Sequence, residues 1–411
     1  MVSPSGSVPV QLQPRRPPRS TPTADGDTVT TSPRLTGQGS CGTGLTEQGL
    51  TGQGSSGLRR TGQGSSGLRL TGQDPAGQVT GGAALVDQFG RVHRDLRISV
   101  TDRCNLRCTY CMPEVGMVFR PREEILRFEE ITRVATVAHR LGVRSVRVTG
   151  GEPLVRRDVV RLVAQLAGVG FDDLSLTTNA MLLANLAAPL AEAGLRRVNV
   201  SCDSLRPERF AAIRRRGDLG RVLAAMDAAE AAGLQPLKVN VVLVAGVNDD
   251  EILDFAGFAR RHGRVVRFIE FMPFDAQGQW ERSRVVPAAE VIEQVADRWP
   301  IEPVPGTAGD AAPAERYRFT DGAPGEIGVV ASVTRPFCGT CDRLRLTADG
   351  AIRNCLFSDD ELSVRDLMRS GADDDALAGL LQLAVAGKRA GHGMDDPGFL
   401  RPRRSMSMIG G

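Results

Sequence analysis

Residues 96–113 read LRISVTDRCNLRCTYCMP. The first five alternate as a half-buried strand does, and the chain then runs directly into a loop carrying Cys104, Cys108 and Cys111. Further strand signals follow at 144–149, 172–177, 196–201, 236–244 and 264–271. Ala-, Leu- and Arg-rich helical stretches at 129–141, 158–168, 182–193, 219–232 and 250–262 separate them. Six successive strand–helix units predict a parallel sheet with right-handed crossovers, either an open doubly wound sheet or a partial barrel. The unusual residues favour the barrel. The cysteine loop follows the first strand, Gly150-Gly151-Glu152-Pro153 the second, Thr178-Asn179 the third, Ser201 to Ser204 the fourth and Met272-Pro273 the sixth. A barrel brings all carboxyl ends to one mouth, whereas a doubly wound sheet concentrates its site at one switch point. The expected fold class is α/β: an incomplete parallel (β/α)6 TIM-like barrel over 85–286 with a C-terminal α+β extension over 287–411.

Outward from that core, residues 1–84 are dominated by Gly, Ser, Thr, Pro and Gln, and TGQGSSGLRR at 51–60 recurs as TGQGSSGLRL at 61–70. Such copies lack the apolar residues a solenoid needs, so the expectation is a disordered low-complexity tail in which Cys41 is merely solvated. The tail carries seven Arg against four acidic residues, which leaves the globular part with 44 charges of each sign. A neutral body with two Trp and two Tyr offers neither a broad basic surface nor stacking platforms, so no nucleic-acid partner is expected. With no membrane-length apolar run and no secretory signal, the expected location is cytoplasmic, with no membrane association. Only two of 51 cations are lysine, Lys238 and Lys388, which marks either places where a compact ammonium is wanted or chance survivors.

Six of the eight cysteines fall into two tight groups, the pattern of metal or cluster ligands rather than disulfides. Cys104, Cys108 and Cys111 can hold three irons of a cubane and leave the fourth open to a small molecule; a structural zinc site with a remote fourth ligand is the alternative. The second group, Cys338, Cys341 and Cys355, allows the same two readings, with His392 available to complete a zinc site. Just beyond it, Arg343 and Arg345 share one face of an extended segment, either as a two-pronged anion clamp or as solvated residues of a half-buried strand. Arg97, Arg147, Lys238 and Arg267 sit on barrel strands, where an inward cation is costly unless an anion meets it.

An aromatic before the last cysteine of CxxxCxxC, paired with GGEP after the next strand, resembles the signature of radical S-adenosylmethionine (SAM) enzymes. From 86 onward the chain resembles one family among them, the GTP 3′,8-cyclases of molybdenum-cofactor biosynthesis. The likeness runs through FGR at 89–91, RVTGGEPLVRRD at 147–158, RVNVSCDSL at 197–205, FCGTCDRLRLTADG at 337–350 and the terminal Gly410-Gly411. It implies two 4Fe-4S clusters, on Cys104, Cys108 and Cys111 and on Cys338, Cys341 and Cys355, with catalytic roles for the first three cysteines, Arg343 and Arg345. It further implies SAM contacts at Tyr110, Gly151, Ser201 and Met272, and GTP contacts at Arg97, Arg147, Thr178, Lys238, Arg267, Arg343 and Arg345. The implied reaction is abstraction of the ribose C3′ hydrogen by a 5′-deoxyadenosyl radical and bonding of C3′ to guanine C8. Implied partners are GTP as substrate, a reducing electron donor, a downstream cyclic pyranopterin synthase and, as the oligomer, a homodimer. A radical SAM peptide maturase and a non-catalytic iron-sulfur or zinc protein are the competing readings.

Overall fold

The computed structural model describes residues 84–410, apart from 276, 277, 279 and 307–310. The repetitive segment with Cys41, and Gly411 at the far end, lie outside the described residues.

Strands β1 (Asp95–Ser99), β2 (Ser145–Thr149), β3 (Asp173–Thr178), β4 (Arg197–Ser201), β5 (Lys238–Leu243) and β6 (Val265–Glu270) pair in chain order, each parallel to the next. Helices α1 (Phe128–Arg140), α2 (Val159–Ala167), α3 (Ala187–Glu192), α4 (Pro207–Arg214), α5 (Leu219–Ala231) and α6 (Ile252–His262) lie in the crossovers. Helix α1 shows why they dock. Its Ile131, Val134, Ala135 and Ala138 recur at helical spacing and are fully buried, in one core cluster with the outward-facing Leu96, Ile98, Val146 and Val148. Each large side chain buried this way contributes about 1.5–3 kcal/mol. With the outer face of each strand taken by this core, the inner face is free to carry polar residues, and Asp95, Arg97, Ser145 and Arg147 share it.

The C-terminal part contributes α7 (Ala288–Arg298), β7 (Ile301–Pro303), β8 (Glu315–Phe319), β9 (Glu326–Val330), β10 (Arg343–Leu346), β11 (Ala351–Arg353), β12 (Leu362–Ser363), α8 (Val364–Arg369), α9 (Asp374–Ala386) and α10 (Met406–Ile409). These strands flank both edges of the six-stranded parallel sheet. β9 pairs parallel with β6 and β10 parallel with β1, giving the sheet order β12-β11-β10-β1-β2-β3-β4-β5-β6-β9-β8-β7. The RLRL segment is thus a seventh wall beside β1, not an appendage. One helix boundary and one whole helix also differ from expectation. Of the stretch 182–193 only Ala187–Glu192 is helical, and α4 was not anticipated, because PERFAAIR presents no apolar stripe. Among the described residues, no helix is long and apolar enough to cross a membrane.

Candidate active site

The carboxyl ends of β1 to β6 open onto one cavity of about 300 Å³. All six clustered cysteines line it, three from the loop after β1 and three from the chain on either side of β10, together with Tyr110, Gly151, Ser201 and Met272. Arg97, Arg147, Thr178, Arg267, Arg343 and Arg345 line the same space. Of the predicted site residues only Lys238 stays out of its wall, one turn of the pleat below Asn240.

The first cysteine loop is stapled to the GGEP segment by backbone hydrogen bonds, Gly151 N–H to Thr101 O at 2.7 Å and Glu152 N–H to Arg103 O at 2.8 Å. The approach is so close that a Cβ on Gly151 would lie 2.5 Å from the Arg103 carbonyl oxygen, which is the local reason for glycine there. Glu152 accepts from Leu154 N–H, Thr178 Oγ1 and Asn179 N–H, although burial pushes its carboxyl up to about 7. The Thr178 hydroxyl donates to Glu152 at 2.7 Å and accepts from Ala180 N–H at 2.9 Å. A phosphate oxygen, being only an acceptor, would have to displace Glu152 to use that proton.

From the other side, α4 buttresses the loop. Arg107 and Thr109 N–H donate to the Arg214 and Ile213 carbonyls, and Arg214 Nη1 donates to Cys108 Sγ at 3.3 Å. Arg214 Nη2 lies 2.8 Å from Asp203 Oδ2, which also accepts from the Tyr110 hydroxyl at 2.6 Å. Neither Arg214 nor Asp203 was singled out in the sequence. Asp203 follows a strand's carboxyl end and could have been; Arg214 sits in an arginine run that reads as solvated surface.

The second group is held by cations. Lys388 Nζ donates to Cys341 Sγ at 3.4 Å and to the Arg343 carbonyl at 3.0 Å, so one of the two lysines does occupy a buried, specific place. Burial would raise the Cys341 thiol, but Arg343 and Lys388 outweigh it and bring it down to about 7. His392 does not complete a zinc site. Its Nδ1 accepts from Met394 N–H and its Nε2 lies 3.1 Å from the Ser332 carbonyl, so both ring nitrogens are committed. Arg91, of the FGR segment, donates to the Cys338 carbonyl at 2.6 Å and to the Arg389 carbonyl at 2.7 Å. Asp87 orients it, accepting from Arg91 Nε at 2.6 Å and facing His93 Nε2 at 3.1 Å.

His93 gives this clamp a pH dependence. Burial, and then the nearby Lys388, lower its pKa from 6.5 to about 4, so protonation favours the unfolded chain. Its contribution is whole above pH 6.5 and is lost as pH falls through about 4, with a slope of up to about 1.4 kcal/mol per pH unit between them. Glu152, raised to about 7, gives the opposite slope between about 4.5 and 7, so the check is a difference between melts: from pH 7 to pH 4 the wild type should lose more stability, or gain less, than His93→Gln.

Both triads fit a thiolate-bound cluster. All six cysteines are free. Burial pushes the Cys104 thiol up to about 11 and raises Cys108 and Cys111 as well, so these groups ionise only when a metal rewards it. Among the described residues no three such side chains converge as ligands of a single ion do. A cubane places its three thiolates on separate irons and asks for no such convergence.

The cations form one rung across the sheet. Arg345, Arg97, Arg147 and Ser175 are register partners on β10, β1, β2 and β3. Burial, then neighbouring arginines, lower the pKa of Arg97; burial likewise brings Arg345 to about 10, Arg267 to about 9 and Lys238 to about 7. Arg267 is tied to Asn240 Oδ1 and Asn199 Oδ1, both neutral partners. Arg97 Nε and both Nε and Nη2 of Arg343 are buried without any hydrogen-bond partner. Donors left so are costly, and a polyanion in the cavity would satisfy them. The carbonyl of Gly410 accepts from Arg345 Nη1 at 2.7 Å. Gly410 has φ 85°, and a Cβ on it would lie 2.4 Å from Thr149 Oγ1, so the C-terminal residues reach the arginine rung only as glycine.

A TIM-like α/β fold whose first strand ends in a three-cysteine loop backed by Gly-Gly-Glu defines a radical SAM enzyme, and the Radical SAM superfamily model matches residues 98–259. The Molybdenum Cofactor Synthesis C model matches 264–394. GTP 3′,8-cyclase of Rhodopirellula baltica is 48% identical over 336 residues, covering 81% of this chain and 94% of that protein. GTP 3′,8-cyclase of Corynebacterium glutamicum is 47% identical over 341 residues, covering 80% and 90%. The chain belongs to the GTP 3′,8-cyclase family. Among solved structures, Streptococcus suis SuiB aligns with TM-score 0.52 over 78% of this chain and 79% of that one; at 14% identity the likeness is one of fold alone.

Proposed function

We propose that this enzyme cyclises GTP to (8S)-3′,8-cyclo-7,8-dihydroguanosine 5′-triphosphate, an early step of molybdopterin cofactor biosynthesis. The observation that carries the reading is the set of buried arginine donors without a hydrogen-bond partner, Nε of Arg97 and Nε and Nη2 of Arg343, in the same cavity as two free cysteine triads. A radical SAM peptide maturase or an electron-transfer protein has no use for such a row.

Cys104, Cys108 and Cys111 would hold one 4Fe-4S cluster and Cys338, Cys341 and Cys355 the other. The chemistry supplied by cluster-bound SAM is hydrogen abstraction at the ribose C3′, which sets up the C3′–C8 bond. The chain's own part is placement. Tyr110, Gly151, Ser201 and Met272 would frame SAM beside the first triad, with Tyr110 held by Asp203. Arg97, Arg147, Arg267, Arg343 and Arg345 would clamp the triphosphate, with Lys238 adding charge from below and the Thr178 hydroxyl donating once a phosphate oxygen displaces Glu152. Fixing the triphosphate beside SAM restrains the ribose and helps exclude water from the reacting carbon.

The six parallel strands act as an incomplete (β/α)6 barrel over 85–286, with 287–411 as the functional extension. A reducing electron donor, a downstream cyclic pyranopterin synthase, a cytoplasmic setting and a homodimer complete the proposal. Anaerobic incubation with reductant, SAM and GTP should give 5′-deoxyadenosine in step with the cyclised nucleotide. Deoxyadenosine that forms equally well without GTP, with no cyclised product, would refute the assignment of GTP.

A further inference from the structure

The chain's last described stretch behaves unlike the rest of the surface. Residues 400, 401 and 403 are exposed, Leu400 by 82%, and the last apolar anchor before them is Phe399, packed against Val285, Val333 and Met394. Six residues after Arg404 the same chain is deep in the cavity, with Ser407 and Ile409 buried and the Gly410 carbonyl on Arg345. The turn from surface to interior is made at Arg404. Its Nη1 donates to Asp349 Oδ1 at 2.9 Å and Oδ2 at 3.0 Å, and its Nη2 to Glu361 Oε2 at 2.6 Å. All three side chains are mostly shielded, at 17%, 10% and 22% exposure.

We propose that Arg404 is a positioning residue that latches the C-terminal strap onto the active site through Asp349 and Glu361. The two carboxylates come from different elements. Asp349 lies in the turn joining β10 to β11, the continuation of the strand that carries Arg343 and Arg345, and Glu361 immediately precedes β12. A planar fork can span both, whereas an ammonium cannot bond two carboxylates in that geometry. Asp349 also faces Arg120 Nη2 at 3.7 Å, and the Arg120 N–H donates to Asp102 Oδ2 at the base of the first cysteine loop. Ser407 in turn lines the cavity together with Cys111. One carboxylate therefore ties the strap, the arginine strand and the loop of the first triad together. With the latch made, the strap lies between the first cysteine triad and the arginine rung. With it open, Arg345 loses its carbonyl partner and the cavity gains a path to water.

The inference rests on the cyclase reading for its consequence, but not for its first readout. In reconstituted, oxygen-free protein without GTP, hydrogen exchange of amides 405–410 should rise at least about tenfold in Arg404→Ala, the scale of one lost charge-assisted fork. Iron content should match the wild type. Arg404→Lys, which keeps the charge and loses the fork, should fall between the two. In turnover, Arg404→Ala should raise the KM for GTP about tenfold and release more deoxyadenosine per cyclised product. Should Arg404→Ala fail to fold, Arg404→Lys carries the same comparison. Unchanged exchange at 405–410 in the folded variant would overturn the latch, whatever the activity. Loosened amides in a protein whose wild type makes no cyclised product would support the latch and remove the cyclase reading alone.

Discussion

Cys104→Ala should abolish SAM cleavage and product formation together, and Cys338→Ala should abolish product formation. Loss of a mere outer-shell partner in a metal site costs about 10–100-fold, so removal of one of three thiolates should exceed about 100-fold in either triad. The two variants should differ in kind. Cys104 belongs to the loop stapled to Gly151 and Glu152, where SAM is proposed to sit, so its loss should silence deoxyadenosine formation itself. Cys341 is instead wired to Lys388 and to Arg343, the first residue of the strand proposed to face the triphosphate. Loss of Cys338 should therefore leave the first cluster's spectrum in place while the cyclised nucleotide disappears. Deoxyadenosine measured by chromatography, beside the iron content of each variant, separates these outcomes.

Arg345→Ala carries the second large effect. Hydrogen bonds to charged groups contribute about 1.5–3 kcal/mol each, which is roughly 10- to 150-fold in affinity for one lost phosphate contact. Arg345 is proposed to face the nucleotide and also holds the Gly410 carbonyl at 2.7 Å, so its loss should lie at the upper end of that range. Arg343→Ala should be milder in strap order but comparable for GTP, because the donors it removes have no protein partner to abandon. Isothermal titration of GTP into oxygen-free protein checks both.

The sequence was most legible where periodicity and chemistry agreed. The six β/α units could be read because Leu96, Ile98, Val146 and Val148 alternate with polar partners, and the crossover helices carry matching apolar faces. The cysteine triads and GGEP could be read because their spacing serves one chemistry. Less visible were features created by register. Nothing local indicates that Arg345 is opposite Arg97 and Arg147, since the three meet only when β10 adds to β1. Strands β7, β8, β11 and β12 are too short or too charged to show a period of two. Arg91, Arg214 and Arg404 read as surface cations, yet each is bonded to the backbone, a sulfur or carboxylates within the active-site region. In a chain with 49 arginines, the few that are buried do not stand out by composition.

Mössbauer spectroscopy on oxygen-free, iron-57-reconstituted protein, recorded alone, with SAM and with GTP, reaches the claim beneath all of this. Two clusters are predicted, each with one iron that no side chain ligates. SAM should alter the spectrum of one iron in the cluster removed by Cys104→Ala, and GTP that of one iron in the cluster removed by Cys338→Ala. Zinc in place of iron in either triad, or two clusters whose spectra respond to neither small molecule, would contradict the account.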